Sequence, residues 1–278
     1  MINMLLGFLT GGQLGSLDKT LEWAKMKGFQ SISITLPLNQ TFLNLNEIIT
    51  SPKTIRELVE KHGVVISALG FYGNPLYPDE NERKRHVEHF LKVLEATYRL
   101  EIPVMTGWVG KYPGSLEDNY REIEKVWPKI IKKAEDYGVK IAIENCPGNI
   151  MYRPDIWEKV FEILGSDNLG LEFDPSHLIC QFIDANSVLD TFGDRVYHIH
   201  AKDAEINWEK VSRLGITSSR WCPHRLPGFG ELDWAKFFTI LKKHGYDYAI
   251  SIEHEDPYFK DYKEGLLLAK KFLEQFFP

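Results

Sequence analysis

The sequence has few cysteines, no long apolar run and no signal-peptide pattern. Its three cysteines (Cys146, Cys180 and Cys222) are widely separated and odd in number, so they imply no disulfide framework. No apolar stretch is long enough to span a membrane, and the amino terminus lacks a basic start and a cleavage site. We therefore expect a cytoplasmic protein that has no membrane partner.

The chain also lacks an excess of basic residues. Its formal charge at pH 7 is −6, which argues against a nucleic-acid partner. No glycine-rich phosphate loop of the nucleotide-binding type is present. With 278 residues and no linker or low-complexity segment, the chain is expected to form one domain over residues 1–278.

Short apolar strands alternate with amphipathic helices along the whole chain. Eight such repeats are typical of an α/β protein built as a (β/α)₈ TIM barrel, and a doubly wound sheet is the structural alternative. Glycine follows several predicted helices at the stop position, as at Gly28, Gly63 and Gly138. The eight predicted strands cover residues 4–10, 31–36, 64–70, 104–109, 139–145, 169–174, 196–203 and 248–255.

Polar side chains collect at the ends of the last four predicted strands. Since side chains alternate faces along a strand, Glu144, Asp174, His200 and Glu253 all fall on the face opposite the large apolar residues. Inward side chains at the carboxyl ends of barrel strands can converge on one point, where barrel enzymes carry their chemistry. Three carboxylates and an imidazole suit one divalent ion, with Mn²⁺ as first choice and Mg²⁺, Co²⁺ or Zn²⁺ as alternatives. A buried hydrogen-bonded network without metal is the other interpretation.

Several short motifs resemble the xylose isomerase-like barrel superfamily, and within it the sugar phosphate isomerase/epimerase group with its ketose 3-epimerases and inosose dehydratase. The motifs are Glu-Asn-Cys-Pro-Gly at 144–148, Asp-Pro-Ser-His at 174–177, His-Ala-Lys-Asp at 200–203, Pro-Gly-Phe-Gly at 227–230 and Ile-Glu-His-Glu-Asp at 252–256. The resemblance covers essentially the whole chain. It implies a metal-dependent enzyme of carbohydrate metabolism that acts on a small sugar or polyol.

The resemblance also implies residue roles. Residues matching Glu144 and Glu253 act in the ketose epimerases both as metal ligands and as the acid–base pair, and the residue matching His177 contacts a substrate oxygen. We therefore expect an isomerase or epimerase that works by carboxylate proton abstraction through a metal-stabilised enediolate. The epimerases carry a further Glu and Arg where this sequence has Ile150 and Ile206. This departure keeps open a lyase (dehydratase) acting on a keto-inositol or keto-glycoside.

Two other functions are weighed against the isomerase. An endonuclease IV-like DNA repair enzyme needs extra histidines after early strands, where this chain offers Phe71, Tyr72 and Trp108. The acidic net charge disfavours that function further. A sugar-binding barrel without turnover is the non-enzyme alternative.

The remaining substrate-binding candidates are Lys202, Arg225, Phe71 and Trp108. Lys202 shares a face with His200 and can hold a substrate oxygen or form an ion pair with Asp203 or Glu172. Arg225 can reach an anionic group, and Phe71 and Trp108 can line an apolar wall. Cys146 is not expected to act as a nucleophile because nothing basic is predicted beside it. The segment between Asp203 and Asp233 is expected to be a binding loop or a subunit contact, and a homo-oligomer (dimer or tetramer) is left open.

Overall fold

A computed structural model describes residues 4–39 and 42–277. Residues 1–3, on which the expected lack of a signal peptide partly depends, lie outside the described residues. Eight parallel strands close into a barrel, which confirms the predicted fold and excludes the doubly wound sheet. Around the barrel the strands follow their order in the chain, and the last barrel strand pairs with the first.

The barrel strands agree closely with the predicted ones. Their bounds are Leu5–Thr10 (β1), Ser31–Thr35 (β2), Val65–Phe71 (β3), Val104–Gly107 (β4), Lys140–Glu144 (β5), Leu169–Phe173 (β6), Val196–Ala201 (β7) and Ala249–Ile252 (β10). A small antiparallel hairpin, Asp203–Ala204 (β8) and His224–Arg225 (β9), stands at the carboxyl end of the barrel.

Helices cover the outside of the barrel, and most of them bury one face against it. They are Leu17–Met26 (α1), Leu45–Thr50 (α2), Pro52–His62 (α3), Glu80–Arg99 (α4), Leu116–Tyr137 (α5), Pro154–Leu164 (α6), Pro175–Ile179 (α7), Ala185–Phe192 (α8), Trp208–Leu214 (α9), Trp234–Lys243 (α10) and Tyr262–Leu273 (α11). The predictions omitted α2, α7 and α9, because helices of five to seven residues show little periodicity. Within the described residues, no helix combines the length and apolar character needed to cross a membrane.

The helix ends follow local chemistry. Helix α5 begins at a capping box, in which the Ser115 side chain accepts from the Asp118 N–H and the Asp118 carboxylate accepts from the Ser115 N–H. It ends at Gly138, whose φ of 65° is the left-handed conformation that glycine adopts without strain. Such signals lie within a few residues of one another, which is why helix bounds could be predicted.

Strand register arranges the inward side chains in layers. Glu144 pairs with Glu172, Glu172 with His198, and Ser251 with His200. Gly170 lies in β6, close to the backbone just before β7. A Cβ atom at this position would come within 2.3 Å of the Arg195 carbonyl oxygen, so only glycine fits there. The large residues of the alternate set, such as Ile143 and Phe173, are buried under the helices.

A disulfide joins Cys180, just after α7, to Cys222, just before β9. The expectation that the cysteines imply no disulfide is therefore wrong for this pair, and Cys146 is the free cysteine among the described residues. The two partners are separated by 42 residues in the chain. They meet because the segments that follow the neighbouring strands β6 and β7 come together at one end of the barrel.

Candidate metal centre

Four ligand-type residues from four consecutive barrel positions meet at the carboxyl end of the barrel. One ligand atom from each of Glu144, Asp174, His200 and Glu253 lies within 4.8 Å of the other three. Glu144, Asp174 and His200 are buried, and only Glu253 is partly exposed to the opening. The spacing and the oxygen-rich donor set fit one divalent cation.

Local hydrogen bonds fix the orientation of the Asp174 carboxylate. It is the N-cap of α7, and its Oδ1 accepts from the Ser176 N–H at 2.9 Å and from the Ser176 hydroxyl at 2.6 Å. The Asn145 side chain accepts from the Asp174 N–H and donates to its carbonyl oxygen, both at 2.7 Å. The second carboxylate oxygen, Oδ2, is buried, faces the other ligands and lies 2.9 Å from the Lys202 ammonium nitrogen. A buried carboxylate oxygen whose present partner is a cationic group fits a metal-ligand role.

Glu144 is held from two sides. The Trp108 indole N–H donates to Oε2 at 2.7 Å, and Oε1 lies 3.2 Å from His200 Nδ1 and 3.6 Å from His177 Nε2. Burial raises the pKa of Glu144, but hydrogen bonds from His177 and His200 and the charge of Lys202 outweigh it and hold the pKa well below the usual value. Glu144 is therefore an ionised carboxylate oriented toward the centre.

A buried network lies directly beneath the ligands. Glu172 Oε1 lies 2.9 Å from both His198 Nδ1 and His200 Nε2, and its Oε2 accepts from the Tyr72 hydroxyl at 2.8 Å. The His200 contact is not aligned as a hydrogen bond, so charge attraction dominates it. Burial lowers the pKa of His200, yet Glu172 and Glu253 reverse this effect and raise it well above its usual value. Glu172 thus fixes one side of the His200 ring while Nδ1 faces the carboxylates.

The Lys202 ammonium group lies beside the ligands rather than in solvent. Its Nζ is 2.6 Å from Glu253 Oε2, 2.9 Å from Asp174 Oδ2 and 3.0 Å from Glu255 Oε2. Neither ion pair considered from the sequence, with Asp203 or Glu172, accounts for this arrangement. His224 Nδ1 lies 2.9 Å from the same Glu255 oxygen, so the two residues extend the network toward the opening.

A cavity of about 490 Å³ opens above the ligands, a volume in the range of small-molecule sites. Its wall combines apolar and aromatic side chains with carboxylates and histidines. The lining residues are Leu9, Thr10, Gln13, Thr35, Tyr72, Trp108, Glu144, Cys146, His177, Lys202, His224, Glu253, His254, Glu255 and Tyr262.

The predicted substrate-binding residues divide into two groups. Trp108, His177 and Lys202 line the cavity, whereas Phe71 and Arg225 are not among its lining residues. Phe71 is buried against His89 and Phe90. Arg225 forms ion pairs with Asp256 at 2.9 Å and with Glu205.

Two further residues line the cavity. His254 does so while its ring stacks on that of Tyr262. Cys146 lines it as well, and its sulfur lies within 4.8 Å of a ring nitrogen of His177. The expectation that no basic residue lies beside Cys146 is therefore wrong.

Glu255 and His224 also line the cavity, although neither was predicted from the sequence to belong to the site. Glu255 lies two residues after Glu253, and His224 lies two residues after a cysteine in a long loop. Strand alternation offered a signal for Glu255, because i and i+2 share a face. No comparable signal exists for His224, which reaches the cavity through the β8–β9 hairpin.

Residues 21–274 match the family described as the xylose isomerase-like TIM barrel. The chain belongs to this family. Among its relatives, the uncharacterized protein YfiH of Bacillus subtilis (strain 168) is 30% identical and covers 91% of this chain and 93% of its own length. An inosose dehydratase of Clostridium perfringens is 24% identical over 71% of this chain and 72% of its own.

Solved structures of the family share the whole fold. The 3-keto-D-glucoside 4-epimerase YcjR of E. coli superposes with a TM-score of 0.77 at 14% identity, covering 98% of this chain and 100% of that chain. The IolI protein with a binding zinc atom gives 0.77 at 21% identity, covering 98% of both chains. At sequence identities this low, the similarity shows a shared fold and nothing more. The family and the ligand cluster together support an enzyme of this superfamily that uses a divalent metal.

Proposed function

We propose that the protein is a divalent-metal-dependent isomerase or epimerase of a small sugar or keto-polyol. The observation that carries the proposal is the position of Glu144 and Glu253. Both carboxylates belong to the ligand cluster and both line the same cavity. Two carboxylates with access to one substrate are the arrangement that proton removal and return require.

The metal ion is the first element of the proposal. Glu144, Asp174, His200 and Glu253 would hold it, and their three carboxylates favour Mn²⁺, with Mg²⁺, Co²⁺ or Zn²⁺ as alternatives. When bound, such an ion supplies Lewis-acid polarisation of a substrate carbonyl and makes the adjacent C–H bond more acidic.

Proton transfer is assigned to the two glutamates. One, as the carboxylate, would remove the proton from the carbon next to the carbonyl, and the other, as the carboxylic acid, would return its proton to the substrate enediolate. Return to the opposite face of the same carbon inverts the stereocentre. Return to the neighbouring carbon, with transfer of the hydroxyl proton to the former carbonyl oxygen, moves the carbonyl. Trp108 holds Glu144 at 2.7 Å and Lys202 holds Glu253 at 2.6 Å, so neither carboxylate must reorganise before it reacts.

Substrate orientation is assigned to His177 and Lys202. His177 projects into the cavity from α7, 3.4 Å from Asp174 Oδ2, and burial lowers its pKa, but the charge of Asp174 raises it to about 10. A protonated imidazole is a hydrogen-bond donor for a substrate oxygen. The Tyr72 and Trp108 rings, 6.0 Å apart, provide an apolar wall for the C–H face of a sugar.

A lyase is the second candidate, and the inosose dehydratase relatives favour it. The first step is the same proton removal. The enediolate then expels a hydroxide from the next carbon, and a protonated side chain donates the proton that converts this leaving group into water. A dehydratase therefore needs no additional ligand set.

The test is an exchange reaction in D₂O with Mn²⁺-loaded protein and a library of ketoses, keto-inositols and keto-glycosides. An isomerase or epimerase incorporates deuterium at one carbon with no loss of water, as seen by mass spectrometry and NMR. A lyase gives a product lighter by one water. If the protein binds one of the compounds but catalyses exchange in none of them, the result would support the sugar-binding barrel and contradict both enzyme proposals.

A further inference from the structure

Cys146 belongs to a second group of metal-ligand side chains in the cavity. One ligand atom from each of Cys146, His177 and Glu144 lies within 4.8 Å of the other two. Glu144 is shared with the first centre, whereas the thiol and the second imidazole are not. The thiol and the imidazole have no role as ligands in the proposed function.

We propose that Cys146, His177 and Glu144 form a second cation site, selective for a thiophilic ion such as Zn²⁺. A thiolate and an imidazole are softer donors than the carboxylates that dominate the first centre. Three protein ligands with an open fourth position are the usual arrangement of an accessible zinc site.

The local structure holds the donors in place. Cys146 follows Glu144 by two residues in a turn where the Asn149 side-chain amide donates to the carbonyl oxygens of both, at 2.9 and 3.1 Å. His177 is fixed by α7, which begins at Asp174. Because Cys146 is only partly buried and lines the cavity, an ion can enter the site from solvent.

The charged groups around the two sites indicate which of them binds a cation more tightly. Lys202 Nζ lies 3.5 Å from His177 Nε2 and within 2.9 Å of two ligands of the first centre, so its charge opposes a cation at both sites and does not distinguish them. The first centre has three carboxylates for one imidazole, whereas the second has a single carboxylate. The second site is therefore the weaker one and fills after the first.

The consequence for activity rests on the proposed function. His177 is there assigned to a substrate oxygen, and an ion bound to its imidazole removes this contact. Excess Zn²⁺ thus competes with the substrate, whereas Mn²⁺, which binds thiolate poorly, does not.

The experiment is a titration of metal-free full-length protein with Co²⁺, followed by absorption spectroscopy. Thiolate ligation gives an intense charge-transfer band in the near ultraviolet, which carboxylate and imidazole ligands do not give. We expect the band to grow with the second equivalent of Co²⁺ in the wild-type protein. Cys146→Ser should bind one equivalent without the band, and the double variant Cys180→Ser/Cys222→Ser should keep it.

Each result decides between the two proposals. One Co²⁺ bound without a thiolate band in the wild-type protein would overturn the second site and leave the first centre intact. A band that persists in Cys146→Ser would overturn it too, since another thiol would then be the ligand. Failure to bind any Co²⁺ would contradict both the second site and the proposed function.

Discussion

Glu144 shows how much one side chain depends on its surroundings in this protein. Its carboxylate accepts a hydrogen bond from the Trp108 indole and faces His200 and His177. It belongs to both groups of candidate metal ligands. Its sequence neighbours contribute Asn145, which ties β5 to the end of β6, and Cys146, which extends into the cavity. The reactivity of Glu144 is thus set by residues from several strands.

The acid–base roles give the first prediction. Glu144→Gln and Glu253→Gln replace a carboxylate by an amide of the same shape that cannot accept the proton. Each should lower the rate of deuterium exchange by at least about 100-fold. Glu255→Gln is the matched control, because Glu255 also contacts Lys202 but lies outside the ligand group, and it should have a smaller effect. Equal rates for the wild type and either of the first two variants would remove that glutamate from the mechanism.

The residue beneath the centre gives the second prediction. Glu172→Gln keeps the size of the side chain but removes the charge that lies 2.9 Å from His200 Nε2. We expect Mn²⁺ affinity, measured by calorimetry, to fall about 10- to 100-fold. Tyr72→Phe removes only the hydroxyl donor to Glu172 and should weaken binding less. An unchanged affinity in Glu172→Gln would show that Glu172 does not position His200.

At the scale of elements, α7 and the β8–β9 hairpin bring polar groups to the cavity. Helix α7 carries His177, and the strand β9 carries His224; their rings are 5.1 Å apart. Asp203 anchors the connecting segment, since its carboxylate accepts from the N–H groups of Gly228 and Leu232 and from the Trp234 indole. The disulfide joins the residue that follows α7 to the segment that precedes β9.

The disulfide gives the third prediction. It links residues separated by 42 positions, and chain-entropy arguments for a loop of that length give a stabilisation of up to about 4 kcal/mol. The double variant Cys180→Ser/Cys222→Ser should therefore unfold at a lower urea concentration than the metal-free wild type. Cys146→Ser serves as the control, because it removes the free cysteine. Identical urea midpoints for the double variant and the wild type would mean that this disulfide does not stabilise the native protein.

At the scale of the whole molecule, the candidate metal centre joins strands that are far apart in the chain. The four residues belong to β5 and β7 themselves and to the segments after β6 and β10, and these strands are neighbours on one side of the barrel. Without a cation, three carboxylates repel one another and depend on His200 and Lys202 for compensation. A bound ion should therefore stabilise the barrel as a whole.

The fourth prediction concerns this stabilisation. Mn²⁺ at 100 times its dissociation constant should raise the free energy of unfolding by about 2.7 kcal/mol, and a chelator should remove the effect. Asp174→Asn keeps a side-chain oxygen for the N-cap of α7 but loses the charged ligand, so its melting temperature should respond much less to Mn²⁺. If the variant and the wild type shift equally in thermal denaturation, the ion binds elsewhere.

The sequence alone determined the strands, most of the long helices and the four residues of the first ligand group. These follow from rules that act over a few residues, namely strand alternation, caps and glycine stops, and the barrel then brings equivalent strand ends together. Only the tertiary structure decided that these pairs come together: Trp108–Glu144, Tyr72–Glu172, Lys202–Glu255, Cys146–His177 and Cys180–Cys222. They depend on which strand ends are neighbours and on the paths of the connecting loops, and neither is encoded in any local pattern of residues.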